Sequence, residues 1–180
     1  MPDSSSRTPA TSAPIYVVPY DASWPARFDE ERAALARVLA PWLAGPIEHI
    51  GSTAVPGLVA KPVIDIMAAV ASLDASRPAL SALVALHYVY FPDGAARGEA
   101  LHWLCKPSDE VRTHHLHLVP FGSALWHDRL RFRDRLRSDA RVAAEYAALK
   151  LELAPRYEFD RDGYADAKEP FVRRILSESV

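Results

Sequence analysis

The segment from His49 to Ile66 constrains the fold more than any other part of the chain. It sets Ile47 to Ile50 and the nearly all-apolar run 63–67 on either side of Gly51-Ser52-Thr53-Ala54-Val55-Pro56-Gly57. Two glycines and a proline within seven residues cannot continue either run, so the segment reads as strand, tight loop, strand. The second strand carries one acid, Asp65, between Ile64 and Ile66. A carboxylate placed there costs several kcal/mol of desolvation unless it is paired, hydrogen-bonded or bound to a metal. Asp65 therefore marks a site, or else it lies at the exposed end of the strand and caps a turn.

The flanking sequence supplies the rest of an α+β fold. Residues 1–13 are rich in Ser, Thr and Pro and read as a disordered tail. Residues 15–18 read as an edge strand stopped by Pro19. Trp24, Phe28, Leu35, Leu39 and Trp42 recur at helical spacing, which predicts a helix over 24–43 with Asp21 and Ser23 as cap candidates and Pro25 in its first turn. Pro41 and Gly45-Pro46 are expected to end it. A second helix is expected over 76–86, capped by Ser76 with Pro78 in its first turn, and strands over 88–91, 101–105 and 115–119. From Ser123 onward the period is helical, with segments near 124–137, 139–153 and 162–178. The expectation is a single domain over 14–180, a mixed sheet flanked by helices in an α/β-type core (about 14–122) followed by C-terminal helices (about 123–180).

Charge and cysteine usage narrow the partners. Twenty-one basic and 23 acidic residues give a net charge of −2, so no global basic field draws the chain to nucleic acid or to a membrane surface. The 49% of hydrophobic residues form no run approaching the ~20 apolar residues of a membrane span, and no signal-peptide pattern opens the chain. One cysteine, Cys105, excludes an intramolecular disulfide, and a cytoplasmic location is the expectation.

Four groups of residues carry possible chemistry. Gly51-Ser52 after a strand, with Asp65 fourteen residues beyond Gly51, is the first. It fits neither a phosphate-binding Gly-x-x-x-x-Gly-Lys-Ser/Thr loop nor a Gly-x-Ser-x-Gly elbow, which disfavours a P-loop NTPase and a standard serine hydrolase. The second is His114-His115-Leu116-His117, where a two-residue period puts His115 and His117 on one strand face and His114 on the other. Two imidazoles on one face suit one cation, or simply bond to backbone and carboxylate. Zinc would need more ligands, for which Cys105, His102 and His49 are available, but no CxxC or HExxH spacing supports it. Third, Lys150 shares a helix face with Val142, Tyr146 and Leu153, and Lys168 shares one with Tyr164, Phe171 and Ile175. An inward ammonium wants a counter-charge, and a phosphate chain or an acid would supply one; a lysine that snorkels to the surface needs neither. Fourth, five arginines alternate from Arg129 to Arg137, of which Arg129, Arg133 and Arg137 form one stripe, diluted by Asp128, Asp134 and Asp139.

Taken with Val18-Pro-Tyr-Asp-Ala-Ser-Trp-Pro25, Phe132-Arg-Asp-Arg-Leu-Arg137 and Glu145-Tyr-Ala-Ala-Leu-Lys150, the long motif from His49 to Ile66 resembles the GrpB-like family, a branch of the nucleotidyltransferase superfamily. The resembling stretches span residues 15–178. The resemblance implies a nucleotidyltransferase-like mixed sheet, with C-terminal helices closing over a nucleotide. It assigns Gly51, Ser52 and Thr53 to the phosphate loop, where backbone N–H groups at a helix start favour anions, and Asp65 to the first metal-binding acid. Two departures stand out: the second acid of the superfamily falls on Met67, and the third is replaced by His115 and His117.

The resemblance thus implies a metal-dependent protein, binding a nucleoside triphosphate and transferring a nucleotidyl group to a small acceptor. Asp65, His115 and His117 would be catalytic and would hold one divalent ion, Mg, Mn or Zn; Lys61, Arg133, Lys150 and Lys168 would neutralise the phosphate chain. Imidazoles favour the softer ions. Two alternatives stand beside this one. One is a non-catalytic nucleotide- or coenzyme-binding accessory module linked to coenzyme A metabolism, since family members are sometimes fused to dephospho-coenzyme A kinase. The other is a metal-dependent phosphohydrolase using His115 and His117.

Overall fold

A computed structural model describes residues 13–92, 99–108 and 111–178. All but the last residue of the expected tail lie outside the described residues. The chain runs α1 (Trp24–Leu39), β1 (Leu43–Ile50), a single 3-10 turn (Ser52–Ala54), β2 (Ile64–Val70), α2 (Leu73–Leu83), β3 (Val89–Phe91), β4 (His102–Pro107), β5 (Arg112–Pro120), α3 (Ala124–Ser138), α4 (Ala140–Arg156) and α5 (Arg161–Ser177). The five strands form one mixed sheet in the order β1-β2-β5-β4-β3. Only β2 and β5 pair in parallel; the other pairs are antiparallel. The fold is therefore α+β.

Alternation along β2 divides the molecule. Ile64, Ile66, Ala68 and Val70 pack with Leu104, Leu116 and Leu118 beneath α1 and α2, where Trp24, Leu35, Leu39 and Leu83 are fully buried. Met67 and Ala69 point the other way and pack with Ile50, Val119 and Trp126 under α3. Asp65 belongs to this second face by the two-residue period. The loop after β1 sits on a third cluster, in which Val55 and Leu58 meet Leu136, Val142, Tyr146 and Ile175 from α3, α4 and α5.

Several expected boundaries move, each for a local reason. Residues 15–18 do not join the sheet: Val18 makes one isolated bridge to Ala60, because Pro19 has no N–H with which to continue a ladder. Helix α1 stops at Leu39, short of 43, since Pro41 cannot donate within a helix. Asp21 rather than Ser23 supplies the side-chain oxygen at its start, accepting from Ser23 N–H at 2.8 Å. Gly45-Pro46 lie within β1, an edge strand whose register shifts between Leu43 and Ile47, so the proline's missing donor disturbs no inner pairing. A side chain at Gly45 would collide with the Phe121 ring at 2.7 Å. Helix α2 begins at Leu73 because extended Ser72, not Ser76, offers its hydroxyl to Ala75 N–H at 3.1 Å; Ser76 is buried and donates to Leu73 O, and Pro78 lies inside the helix. Strand β5 starts three residues earlier than expected, and α4 runs three residues further, to Arg156. No helix among the described residues is long and apolar enough to cross a membrane.

Candidate functional site

The pairing register assembles the centre of the site. Asp65 of β2 lies beside His115 of β5, and Met67 beside His117, so the acid and both histidines occupy the same sheet face. The Asp65 carboxylate accepts from His115 Nδ1 at 2.9 Å. Burial opposes charge on Asp65, but the His115 hydrogen bond, with His117 and Lys61 nearby, holds its carboxyl well below the usual range. Its side chain keeps 29% of its surface open, so the carboxylate is not sealed in the core. His115 Nε2 and His117 Nδ1 are buried and bonded to nothing among the described residues. Burial lowers His117 to about 3, so it is neutral at physiological pH.

Gly51 closes one wall. Its φ of +70° is open to glycine at little cost, and a Cβ there would sit 2.3 Å from Asp65 Oδ2. Gly51→Ala is expected to cost about 1–3 kcal/mol and to push the Asp65 carboxylate aside. Gly57→Ala, also at positive φ but with nothing within 4 Å, is expected to cost about 1–2 kcal/mol from backbone strain alone and to leave Asp65 in place. Urea denaturation of the two variants checks the difference.

The C-terminal helices bring the cations. Lys150 of α4 is 2% exposed; its ammonium donates to Ser52 Oγ at 2.9 Å and to Val59 O, and lies 4.8 Å from the Tyr146 ring centre. Both oxygens are neutral, and among the described residues no carboxylate bonds this lysine. Burial, opposed by Asp65, lowers it to about 7. Lys61, in the loop before β2, and Lys168 of α5 flank the Tyr164 ring at 5.2 and 4.1 Å. Burial pushes the Tyr164 hydroxyl up to about 12, and that hydroxyl has no hydrogen-bond partner among the described residues. Ser52, Asp65, Lys61, Lys150 and His115 thus share one locality, with Tyr146 and Tyr164 as walls. The tyrosines were visible in sequence only as face-mates of Lys150 and Lys168; their spacing of four residues was the available signal.

Two expected members stand elsewhere. Arg133 donates to Glu48 Oε2 at 2.7 Å, to Asp134 Oδ1 at 2.8 Å and to His49 O at 3.0 Å, so two carboxylates already neutralise it. It lines a separate cleft of about 380 Å³ with Tyr20, Phe28, Glu48 and Arg137. Thr53 is 1% exposed and its hydroxyl is already engaged: it donates to Val63 O at 3.3 Å and so accepts from His49 Nε2 at 2.9 Å. Burial lowers His49 to about 4, which keeps it neutral in this bond. The 3-10 turn at Ser52–Ala54 is only three residues long, too short to develop the dipole of a full helix; attraction for anions rests on the lysines.

The candidate metal ligands are similarly committed. His102 Nε2 donates to Leu73 O at 2.9 Å. Cys105 lies opposite His115 in register, but its thiol turns to Ser108 O at 3.4 Å. No group of three His, Cys, Asp or Glu side chains among the described residues converges as a metal cage.

Known proteins share this arrangement of chain. The family pattern described as GrpB protein matches residues 14–178. A UPF0157 protein of Pseudomonas aeruginosa is 38% identical over 170 residues, covering 92% of this chain and 68% of that protein. The crystal structure of conserved protein GrpB from Enterococcus faecalis aligns with a TM-score of 0.80 at 32% identity, covering 91% of this chain and 96% of that one. A dephospho-CoA kinase of Mycolicibacterium paratuberculosis is 31% identical over 183 residues, which take in 89% of this chain and 45% of the kinase. This chain spans less than half of that relative's length. With the matched pattern reaching across nearly all the described residues, the protein belongs to the GrpB family.

Proposed function

We propose that the cluster around Asp65 and the lysines binds a nucleoside triphosphate through its phosphate chain and that the protein transfers a nucleotidyl group from it to a small acceptor. The observation that carries this proposal is Lys150, a buried ammonium whose hydrogen bonds among the described residues go to neutral oxygens, beside Lys61, Lys168 and the Gly51-Ser52 bend. Such a charge is poorly compensated until an anion arrives, and phosphate oxygens accept charge-assisted hydrogen bonds of the required kind.

The donor chemistry fits a divalent ion, Mg, Mn or Zn, that arrives with the triphosphate. Asp65 would hold it with an open carboxylate edge; His115 Nδ1 would join only after its bond to Asp65 opens, whereas His117 Nδ1 is unbonded among the described residues. Such an ion, when bound, supplies Lewis-acid stabilisation of charge on the transferring phosphorus. The protein's own groups do the rest. Lys61, Lys150 and Lys168 offset charge along the chain, Ser52 donates its own O–H to it while its oxygen accepts from Lys150, and His115 orients Asp65 through Nδ1. In the transfer, an acceptor oxygen bonds to the α-phosphorus as the bond to pyrophosphate breaks, and the acceptor's proton leaves to His115 Nε2 or solvent.

Calorimetry of ATP with the Asp65→Asn variant tests this proposal. Without divalent ions the variant is expected to bind ATP two- to fivefold more tightly than wild type, because a negative charge beside the phosphates is removed. With Mn²⁺ the wild type is expected to gain at least tenfold and the variant to gain little. Equal gains in both proteins would remove Asp65 from the metal role.

The similarity to a dephospho-CoA kinase favours a second proposal, a non-catalytic nucleotide- or coenzyme-binding module attached to coenzyme A metabolism. The same lysines would then hold the phosphates of a coenzyme. Binding of dephospho-coenzyme A at least tenfold tighter than ATP, with no turnover of either, would favour it.

A further inference from the structure

On the side of His115 away from the lysines, the sheet face carries flat side chains. The register sets Phe91 of β3 beside Trp103 of β4, and Trp103 beside His117 of β5, all on the Asp65 face. The Trp103 ring centre lies 5.4 Å from that of His115 and 5.0 Å from that of Phe91. Arg112 lays its guanidinium 4.8 Å over Trp103 and 5.8 Å over Phe91. None of these side chains is sealed in the core: Phe91, Trp103, Arg112 and His115 are all half-buried. Arg112 is also close enough to Lys61 to act on its charge, so the aromatic row and the lysine cluster meet around Asp65.

Rings in series with a guanidinium plane present two kinds of stacking surface to one flat ligand, and purines and pyrimidines stack on either. We propose that the Trp103–Arg112 shelf is the base-binding half of the site, taking the planar heterocycle of a ligand whose phosphates lie against Lys61 and Lys150. The inference rests on the phosphate proposal above and deepens it, because it assigns the base of that nucleotide, which the lysines do not touch, to named residues.

Two probes separate the halves: ATP, which has a base, and inorganic tripolyphosphate, which has none. Their affinities are measured by calorimetry on the full chain. Wild type is expected to bind ATP at least tenfold more tightly than tripolyphosphate. Trp103→Ala is expected to lose about tenfold in ATP affinity, as removal of one base–aromatic stack does, with tripolyphosphate affinity unchanged. Trp103→Phe retains a ring and the packing of the sheet. It is expected to hold ATP within about threefold of wild type while losing most of the ATP-induced quenching of tryptophan fluorescence expected of wild type, an outcome that does not depend on the alanine variant folding. Equal affinity of wild type for the two probes, a parallel loss of both in Trp103→Ala, or unchanged quenching in Trp103→Phe would overturn the base-binding role and leave the phosphate site standing. Failure of wild type to bind either probe would overturn both.

Discussion

Lys150→Met is expected to make the protein more stable at pH 7 while weakening tripolyphosphate binding about 100-fold. The two effects have one cause. Burial lowers Lys150 from the ordinary 10.5 to about 7. The unfolded chain therefore holds one more proton than the folded chain between pH 7 and pH 10.5, and stability rises with pH across that window. Below about pH 7 the full cost of the buried ammonium is present in wild type. Methionine fills a similar volume without charge, and replacing buried charge by apolar atoms is neutral or stabilising by about 1–4 kcal/mol. Some of that gain is offset because Val59 O loses its donor. The expected gain is about 1–3 kcal/mol at pH 7, vanishing by pH 10.5. Thermal denaturation from pH 6 to pH 10.5 reads the stability arm, and calorimetry reads the binding arm. A variant destabilised equally at every pH, with binding retained, would make Lys150 a structural residue.

Glu31→Ala is expected to cost about 3–5 kcal/mol, the usual penalty for removing one partner of a buried ion pair. Glu31 of α1 is 8% exposed, accepts from the Tyr88 hydroxyl at 2.9 Å and pairs with Lys106, whose ammonium lies 5.2 Å from the Tyr88 ring centre. Alanine would leave an ammonium and a phenol facing each other without an acceptor. The double variant Glu31→Leu, Lys106→Met removes both charges and is expected to recover most of the loss, measured by urea denaturation. Because this network lies on the α1 side of the sheet, neither variant is expected to change tripolyphosphate affinity by more than about twofold. A double variant as unstable as Glu31→Ala would show that the Tyr88 hydrogen bond, not the ion pair, carries the stability.

The parts of this molecule that could be read from the sequence are those governed by short-range periodicity. The strand, loop and strand around Gly51 follow from glycine and proline punctuation, and the common face of His115 and His117 follows from the two-residue period. Helical spacing likewise placed Lys150 with Tyr146 on an inward face. The cap of α2 was not legible: Ser76 was the expected one, yet extended Ser72, four residues earlier, accepts from Ala75 N–H, a choice made by backbone conformation. Long-range geometry was not legible. Nothing local reveals that Asp65 meets His115, fifty residues on, or that Arg133 finds Glu48, eighty-five residues earlier, and is thereby withdrawn from any phosphate. The same limit hid Trp103 and Arg112, whose neighbourhood is created by strand order alone.

The Ser52–Lys150 bond joins residues ninety-eight positions apart, one in the bend after β1 and the other in α4. A guest between them would act as a clasp from the sheet to the C-terminal helices, so any free energy it gains by gripping both must reappear as resistance to prising them apart. In such an architecture affinity and rigidity are one quantity measured from two directions, and a substitution that loosens the seating of α4 or α5 weakens the grip on the guest without touching it.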